Sequence, residues 1–297
     1  MIALAFLLAT AGARDQTAGT TWRHMTRDEI FFKIRDVFRS HRPPPRYEQY
    51  TLVRQDDDAE GFPDYANSYT FHVWERTTDK AALGRQVSYL GGTGQISWEG
   101  PPEFMRPQFN DVDAPPGHPE LADPGPPTAD LFQPAPAQRH PIAWIPTPEP
   151  AASPAPPVIA RAQVLFNLDY FVDSVGLKDG LLHVTVTPRR DPERNRLRQL
   201  WAVPNTFELT KVVAEDHFEV CYAGNICRFY PATFTISLNQ VDGVPVITQV
   251  RAVVQGGYNG DDRTVDYAFE EINFPTSLPD WYFDPTQYAQ HINEAPT

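Results

Sequence analysis

The chain has 297 residues, 41% hydrophobic and 12% aromatic, which is enough apolar material for a substantial core and too much for a disordered chain. Lys and Arg number 25 against 38 Asp and Glu, a net charge of −13. A field of that sign repels phosphate backbones. The two Arg-bearing stretches, 42–46 and 189–198, make no basic stripe, the second alternating Arg with Asp and Glu, so nucleic acid is excluded as the expected partner.

Residues 2–13 read IALAFLLATAGA, a short apolar run ending in Ala11-Gly12-Ala13, which fits the small-x-small pattern that signal peptidase cleaves. The run is shorter than the ~20 apolar residues that cross a bilayer, and no later stretch approaches that length. No Lys or Arg precedes it, unlike the usual basic start of an export signal; a start codon placed upstream, or an N-terminal helix packed in a core, would account for that. The expectation is a signal peptide over 1–13 and a mature, soluble chain, periplasmic or extracellular, beginning near Arg14.

Residues 26–39, TRDEIFFKIRDVFR, predict a helix. Thr26 and Glu29 have the spacing of a capping box, and Ile30, Phe31, Ile34, Val37 and Phe38 recur on one face. Pro43-Pro44-Pro45 ends it. Strands are then expected at 47–54, 68–76, 85–90 and 94–99, with Gly91-Gly92 as the turn of a hairpin. Residues 101–157 change character: 18 of the 31 prolines fall there. Each proline removes a ladder donor, so this stretch reads as an extended linker or insertion, with Trp144 as a point of local docking.

Beyond the tract, strands are expected at 162–175, 181–188, 196–203, 206–215, 232–240, 245–255 and 263–274. Pro204-Asn205, Asp242-Gly243 and Asn259-Gly260 supply the turns of an antiparallel meander. Neither flank of the tract looks complete, the first having few strands and the second no helix of its own. The division expected is therefore 14–100 as helix and first strands, 101–157 as insertion, and 158–297 as the meander completing the same sheet domain.

Cys221 and Cys227 flank a plausible tight turn at Ala223-Gly224-Asn225. Facing hairpin strands bring two cysteines within bridging distance, and an oxidising compartment would close them into a structural disulfide. Two buried thiols are the alternative; half of a metal site is disfavoured by the absence of C-x-x-C spacing and of a second Cys/His pair.

Catalytic equipment is not legible. Hydrolase-elbow, zinc-protease, phosphate-loop and EF-hand spacings are absent from the sequence. The eight histidines are scattered, and His72 and His183, both in strands, suit hydrogen-bonded structural roles. Asp56-Asp57-Asp58 and Asp261-Asp262 read as solvated turns. No catalytic, cofactor or metal residue is assigned, and no enzyme is expected.

Three segments carry a resemblance. DEIFFKIRDVFRS runs into YEQYTLVR; LRQLWAVPNTFELTKVVAED forms a strand–turn–strand unit; GVPVITQVRAVVQGG and TVDYAFEEINFPTSLPDWYF close the chain. In this order they resemble the periplasmic lipoprotein-carrier, or outer-membrane lipoprotein-sorting (LolA-like), superfamily over most of the chain outside the proline tract. The resemblance implies a mainly β (α+β) fold: a curved antiparallel sheet, an unclosed half-barrel, with helices covering an apolar hollow. It implies an exported binding protein for a hydrophobic ligand, a lipid or an acylated protein, with peripheral envelope contact and no transmembrane span. The proline tract departs from the family pattern, and no ligand-binding residue carries over. The other reading is a non-catalytic envelope scaffold whose sheet is filled, with the tract reaching a partner. An empty hollow would mark the first, a core at ordinary packing density the second.

Overall fold

The structure, a computed structural model, describes residues 21–40, 45–58, 67–78, 81–90, 102–103, 127–134, 169–222, 226–256, 262–284, 287 and 290–291. The expected export signal, the Gly91-Gly92 turn, the strand at 94–99, Trp144 and the Asn259-Gly260 turn lie outside these residues, as do the side chains of Cys221 and Cys227.

Helix α1 spans Arg27–Ser40 after a 3-10 turn at Thr21–His24. Its capping box is formed: the Thr26 amide donates to Glu29 Oε2 at 2.6 Å, and the Glu29 amide donates to Thr26 Oγ1 at 3.3 Å. The two bonds satisfy donors that the first helical turn would leave unpaired, and they hold the Glu29 carboxyl below its ordinary range. One face of the helix, Ile30, Phe31, Phe32, Ile34 and Phe38, is buried. Each such side chain is worth roughly 2 kcal/mol of apolar burial, which explains why a short helix is stable here.

The strands are β1 (Tyr47–Asp58), β2 (Asn67–Arg76), β3 (Ala81–Leu90), β4 (Pro102–Glu103), β5 (Tyr170–Lys178), β6 (Leu181–Pro188), β7 (Leu197–Ala202), β8 (Leu209–Tyr222), β9 (Ile226–Val241), β10 (Val244–Val254) and β11 (Arg263–Asn273). They form one antiparallel sheet in the order β4-β3-β2-β1-β11-β10-β9-β8-β7-β6-β5. The sheet is open, with β4 and β5 as its edges, and the fold is the curved, unclosed sheet with an N-terminal covering helix.

Every neighbour pair but one is a local connection. The exception is β1 with β11, where Leu52 lies opposite Phe269 and Arg54 opposite Tyr267. The β9–β10 hairpin turns at Asp242-Gly243, with φ of 51° and 76°. Positive φ at both positions gives the turn a twist that matches the flanking strands, which is why Asp-Gly suits it. The loop Val203–Glu208 joins β7 to β8 and holds Phe207 at φ 61°, a conformation costly for an aromatic residue; its ring, 5% exposed, is packed in the core beneath α1.

Antiparallel pairing places opposed side chains on one face, and the register aligns an apolar row along the inner face. It runs from Val175 through Val184, Leu200, Val212, Ile236, Val250 and Tyr267 to Arg54, one residue from each of eight strands. The outer face is covered in places. Near β1–β3, Tyr47, Trp74 and Leu83 pack against Tyr282 and Phe283 of the 3-10 turn Asp280–Phe283. Near β6–β8, Trp201 is stacked on His183 at 4.6 Å, with Lys211 Nζ 3.9 Å from its ring centroid.

Strands β4 and β5 lie at opposite edges of the sheet, ten interstrand gaps apart along it. Two sections of the proline-rich stretch are described, and both differ from a plain spacer: Pro102–Glu103 adds an edge strand to β3, and 127–134 lies on the inner face. An edge strand tolerates proline because one side of it needs no ladder partner, and Phe132 provides enough apolar surface to hold its segment down.

Candidate ligand-binding face

The inner face divides into two apolar clusters that share Ile236 and Leu131 at their boundary. Over β5–β8 the face is covered by α1 and by Phe132. The Phe132 ring stands 5.8 Å from Phe31 and 5.6 Å from Phe38, and Phe31 in turn meets Tyr170 at 5.7 Å. Arg27 fixes the helix to the edge strand by donating to the Asp173 carbonyl at 2.6 Å.

The second cluster extends over β1–β3 and β8–β11 and includes Leu52, Phe71, Val73, Val250, Ala252, Val265 and Phe269. Among the described residues, the only apolar side chains packed on it from off the sheet are Ala129 and Leu131. The 127–134 segment is tied down at three points around this face. The Ile247 amide donates to the Pro127 carbonyl at 2.7 Å, beside the bulge between Ile247 and Gln249. Arg39 of α1 donates through Nε and Nη2 to Asp130 Oδ2, at 3.0 and 2.9 Å. Thr128 Oγ1 donates to Glu48 Oε2 at 2.9 Å.

Glu48 is the notable polar group of this face. It alternates in phase with Tyr50, Leu52 and Arg54 along β1, and its side chain is 0% exposed. Oε1 is buried without a hydrogen-bond partner. Directly opposite on β2 stands Glu75, also buried. Burial pushes the Glu48 carboxyl up to about 7, against the lowering effect of the Thr128 hydrogen bond. At the far end of the same phase, Arg54 is buried with its guanidinium carbon 5.8 Å from the Tyr267 ring centroid.

The residues singled out in the sequence fall elsewhere. Cys221 and Cys227 are directly opposed in the β8–β9 register, away from the Glu48 end of the face. His72 lies edge-on to Trp74 at 6.2 Å, and His183 Nε2 shares a hydrogen bond with Gln199 at 2.9 Å, both on the outer face. Among the described residues neither joins an acid–base set. Sequence reasoning missed Glu48, and one signal could have found it: in YEQYTLVR the carboxylate sits in the same strand phase as Tyr50 and Leu52.

No family model matches the chain, and no curated protein matches it. Among solved structures it is similar to a LolA superfamily protein of Nitrosomonas europaea, at 13% identity over 88% of this chain and 99% of that one, with a TM-score of 0.37. It is similar at 10% identity to a DUF1329 family protein of Desulfovibrio piger, over 88% and 96% of the two chains, TM-score 0.36. A third similar structure is the lipoprotein LppX of Mycobacterium tuberculosis, at 9% identity over 84% and 97%, TM-score 0.24.

Proposed function

We propose that this chain is an exported binding protein for a hydrophobic ligand, a lipid or a lipoprotein acyl chain, with no catalytic role. The observation that carries the reading is the broad apolar inner face of an open sheet, where the Leu52, Phe71, Val250 and Phe269 cluster adjoins the one covered by α1 and Phe132. An acyl chain laid on such a face gains about 0.8 kcal/mol per buried methylene, so a ten-carbon chain contributes about 8 kcal/mol before the cost of association is subtracted. Export is supported by the small-residue motif at Ala11-Gly12-Ala13 and by two cysteines placed opposite one another on paired strands.

The scaffold reading has its own support in the closed cluster, where Phe31, Phe38 and Phe132 pack as an ordinary core. One experiment separates the two. The mature protein, purified from its own envelope fraction, is examined by native mass spectrometry and organic extraction, and then titrated with the neutral probe N-phenyl-1-naphthylamine. A bound lipid at defined stoichiometry, or saturable probe uptake, is the expected result. Lipid-free protein that takes up no probe would leave the filled scaffold.

A further inference from the structure

The geometry points to the free edge of β5 as a self-association surface, on which residues 174–178 pair antiparallel with the same segment of a second copy about a two-fold axis at Gly176.

The turn closing the β5–β6 hairpin decides which backbone groups face outward. Asp179 and Gly180 form a two-residue loop with φ of 53° and 79°, which makes Lys178 and Leu181 a hydrogen-bonded pair. Hydrogen-bonded and non-hydrogen-bonded pairs alternate along an antiparallel ladder, so Gly176 and Ser174 also bond β6, opposite His183 and Thr185. Val175 and Leu177 therefore direct their N–H and C=O groups away from β6, to an edge where no described strand pairs. The free stretch has a defined end. At the bulge between Val172 and Ser174, the Asp173 carbonyl accepts a hydrogen bond from Arg27 of α1 at 2.6 Å.

The side chains on this edge also ask for a partner. Leu177, opposite the fully buried Leu182, is 53% exposed. Phe171, the other exposed large apolar side chain among the described residues, has the Arg189 guanidinium carbon 3.9 Å from its ring centroid. Leu177 has no such cover. Gly176 lies mid-strand without a positive φ, and a Cβ there would meet nothing within 4 Å. Neither backbone strain nor packing within one chain calls for glycine; in a strand interior it marks the close approach of another backbone.

A second copy answers all of these at one register. With Gly176 opposite Gly176 at the axis, Val175 of each copy lies opposite Leu177 of the other, and both pairs exchange hydrogen bonds through the outward groups. On the inner side, each Leu177 is then covered by Val175 and Leu177 of the partner copy. On the outer side, Lys178 of each copy falls opposite Ser174 and beside the exposed Asp173 of the other, a cation against a carboxylate. A slip of one residue would set inner-facing side chains against outer-facing ones. A slip of two would run the pairing into the bulge at one end or the Asp179-Gly180 turn at the other. This self-complementary order, apolar on apolar and cation on carboxylate, favours a second copy over an unrelated strand.

The test is sedimentation velocity of the mature chain from about 1 to about 500 µM, where an interface at the small end of the size range equilibrates. A concentration-dependent monomer–dimer equilibrium is expected. Leu177→Pro, at a position whose N–H points away from the ladder, and Leu177→Lys, which puts a charge on the exposed edge, should each weaken it roughly tenfold or more with the circular dichroism spectrum retained. The register is read by crosslinking under mild oxidation, against wild-type protein with the same two natural cysteines. Gly176→Cys sets two sulfurs across the axis, on Cα atoms about 4.5 Å apart, and should give a disulfide-linked dimer. Lys178→Cys, whose two copies are offset by about 13 Å along the strands, should not. Wild-type protein that stays monomeric throughout would overturn the pairing and leave the edge to a strand of another protein. So would a dimer undiminished in whichever Leu177 variant folds, or one linked through Lys178→Cys and not through Gly176→Cys.

Discussion

Glu48 shares its strand phase with Tyr50 and Leu52, so β1 cannot turn its apolar face inward without burying a carboxyl group. The consequence is a defined pH dependence. Its carboxyl is held up to about 7 in the folded chain against an ordinary 4.5, so between those values the folded state binds more protons than the unfolded state. Stability contributed by the protonated group is fully present below about pH 4.5 and is lost as pH rises toward 7, by an amount on the order of 3 kcal/mol. Urea denaturation at about pH 5 and pH 8 should show wild-type protein weaker at the higher pH, and Glu48→Gln should flatten that difference. An unchanged slope in Glu48→Gln would place the titrating group elsewhere. The phase of Glu48 was written in YEQYTLVR, but its burial was not, because a strand's two faces become distinguishable only when one of them meets a core.

Among the elements, α1 and the Asp242-Gly243 turn were legible for local reasons. A capping box and a 3.6-residue apolar period act within one helix, and paired positive φ acts within two residues. The β8–β9 hairpin belongs to the same local scale. Its register sets Cys221 opposite Cys227, and opposed strand residues have Cα atoms about 4.5–5.5 Å apart, inside the range a disulfide spans. Non-reduced, alkylated protein from the envelope should therefore have the mass of two hydrogens less than its unlinked form, with no alkyl adduct. Cys221→Ser with Cys227→Ser should lower stability by about 2 kcal/mol. Two alkyl adducts on the non-reduced protein would establish free thiols instead. The 127–134 segment was the element least legible from sequence. Composition argued for a spacer, yet Thr128 bonds Glu48 of β1, and Asp130 and Phe132 both meet α1. Phe132→Ala should cost about 3 kcal/mol, and it should speed hydrogen exchange of the Ile247 amide, which donates to Pro127. Unchanged exchange at Ile247 would mean that the aromatic contact does not hold the segment down.

At the scale of the whole molecule, the amino-acid sequence by itself determined most of the described strands, where the covering helix begins, and the Asp242-Gly243 turn. These follow from periodicity, capping and turn chemistry, all of which operate over a few residues. Only the tertiary structure decided that β1 lies beside β11, with Leu52 opposite Phe269 across 269 − 52 = 217 residues of chain. It alone decided that β4 and β5 are opposite edges of the sheet. It also decided which face of each strand is inside, and thereby made Glu48 a buried acceptor and Phe132 a core residue. The physical reason is common to all three. Partner choice between distant strands and the burial of a side chain depend on apolar surfaces that come together only when the whole sheet has assembled, and no local pattern encodes that meeting.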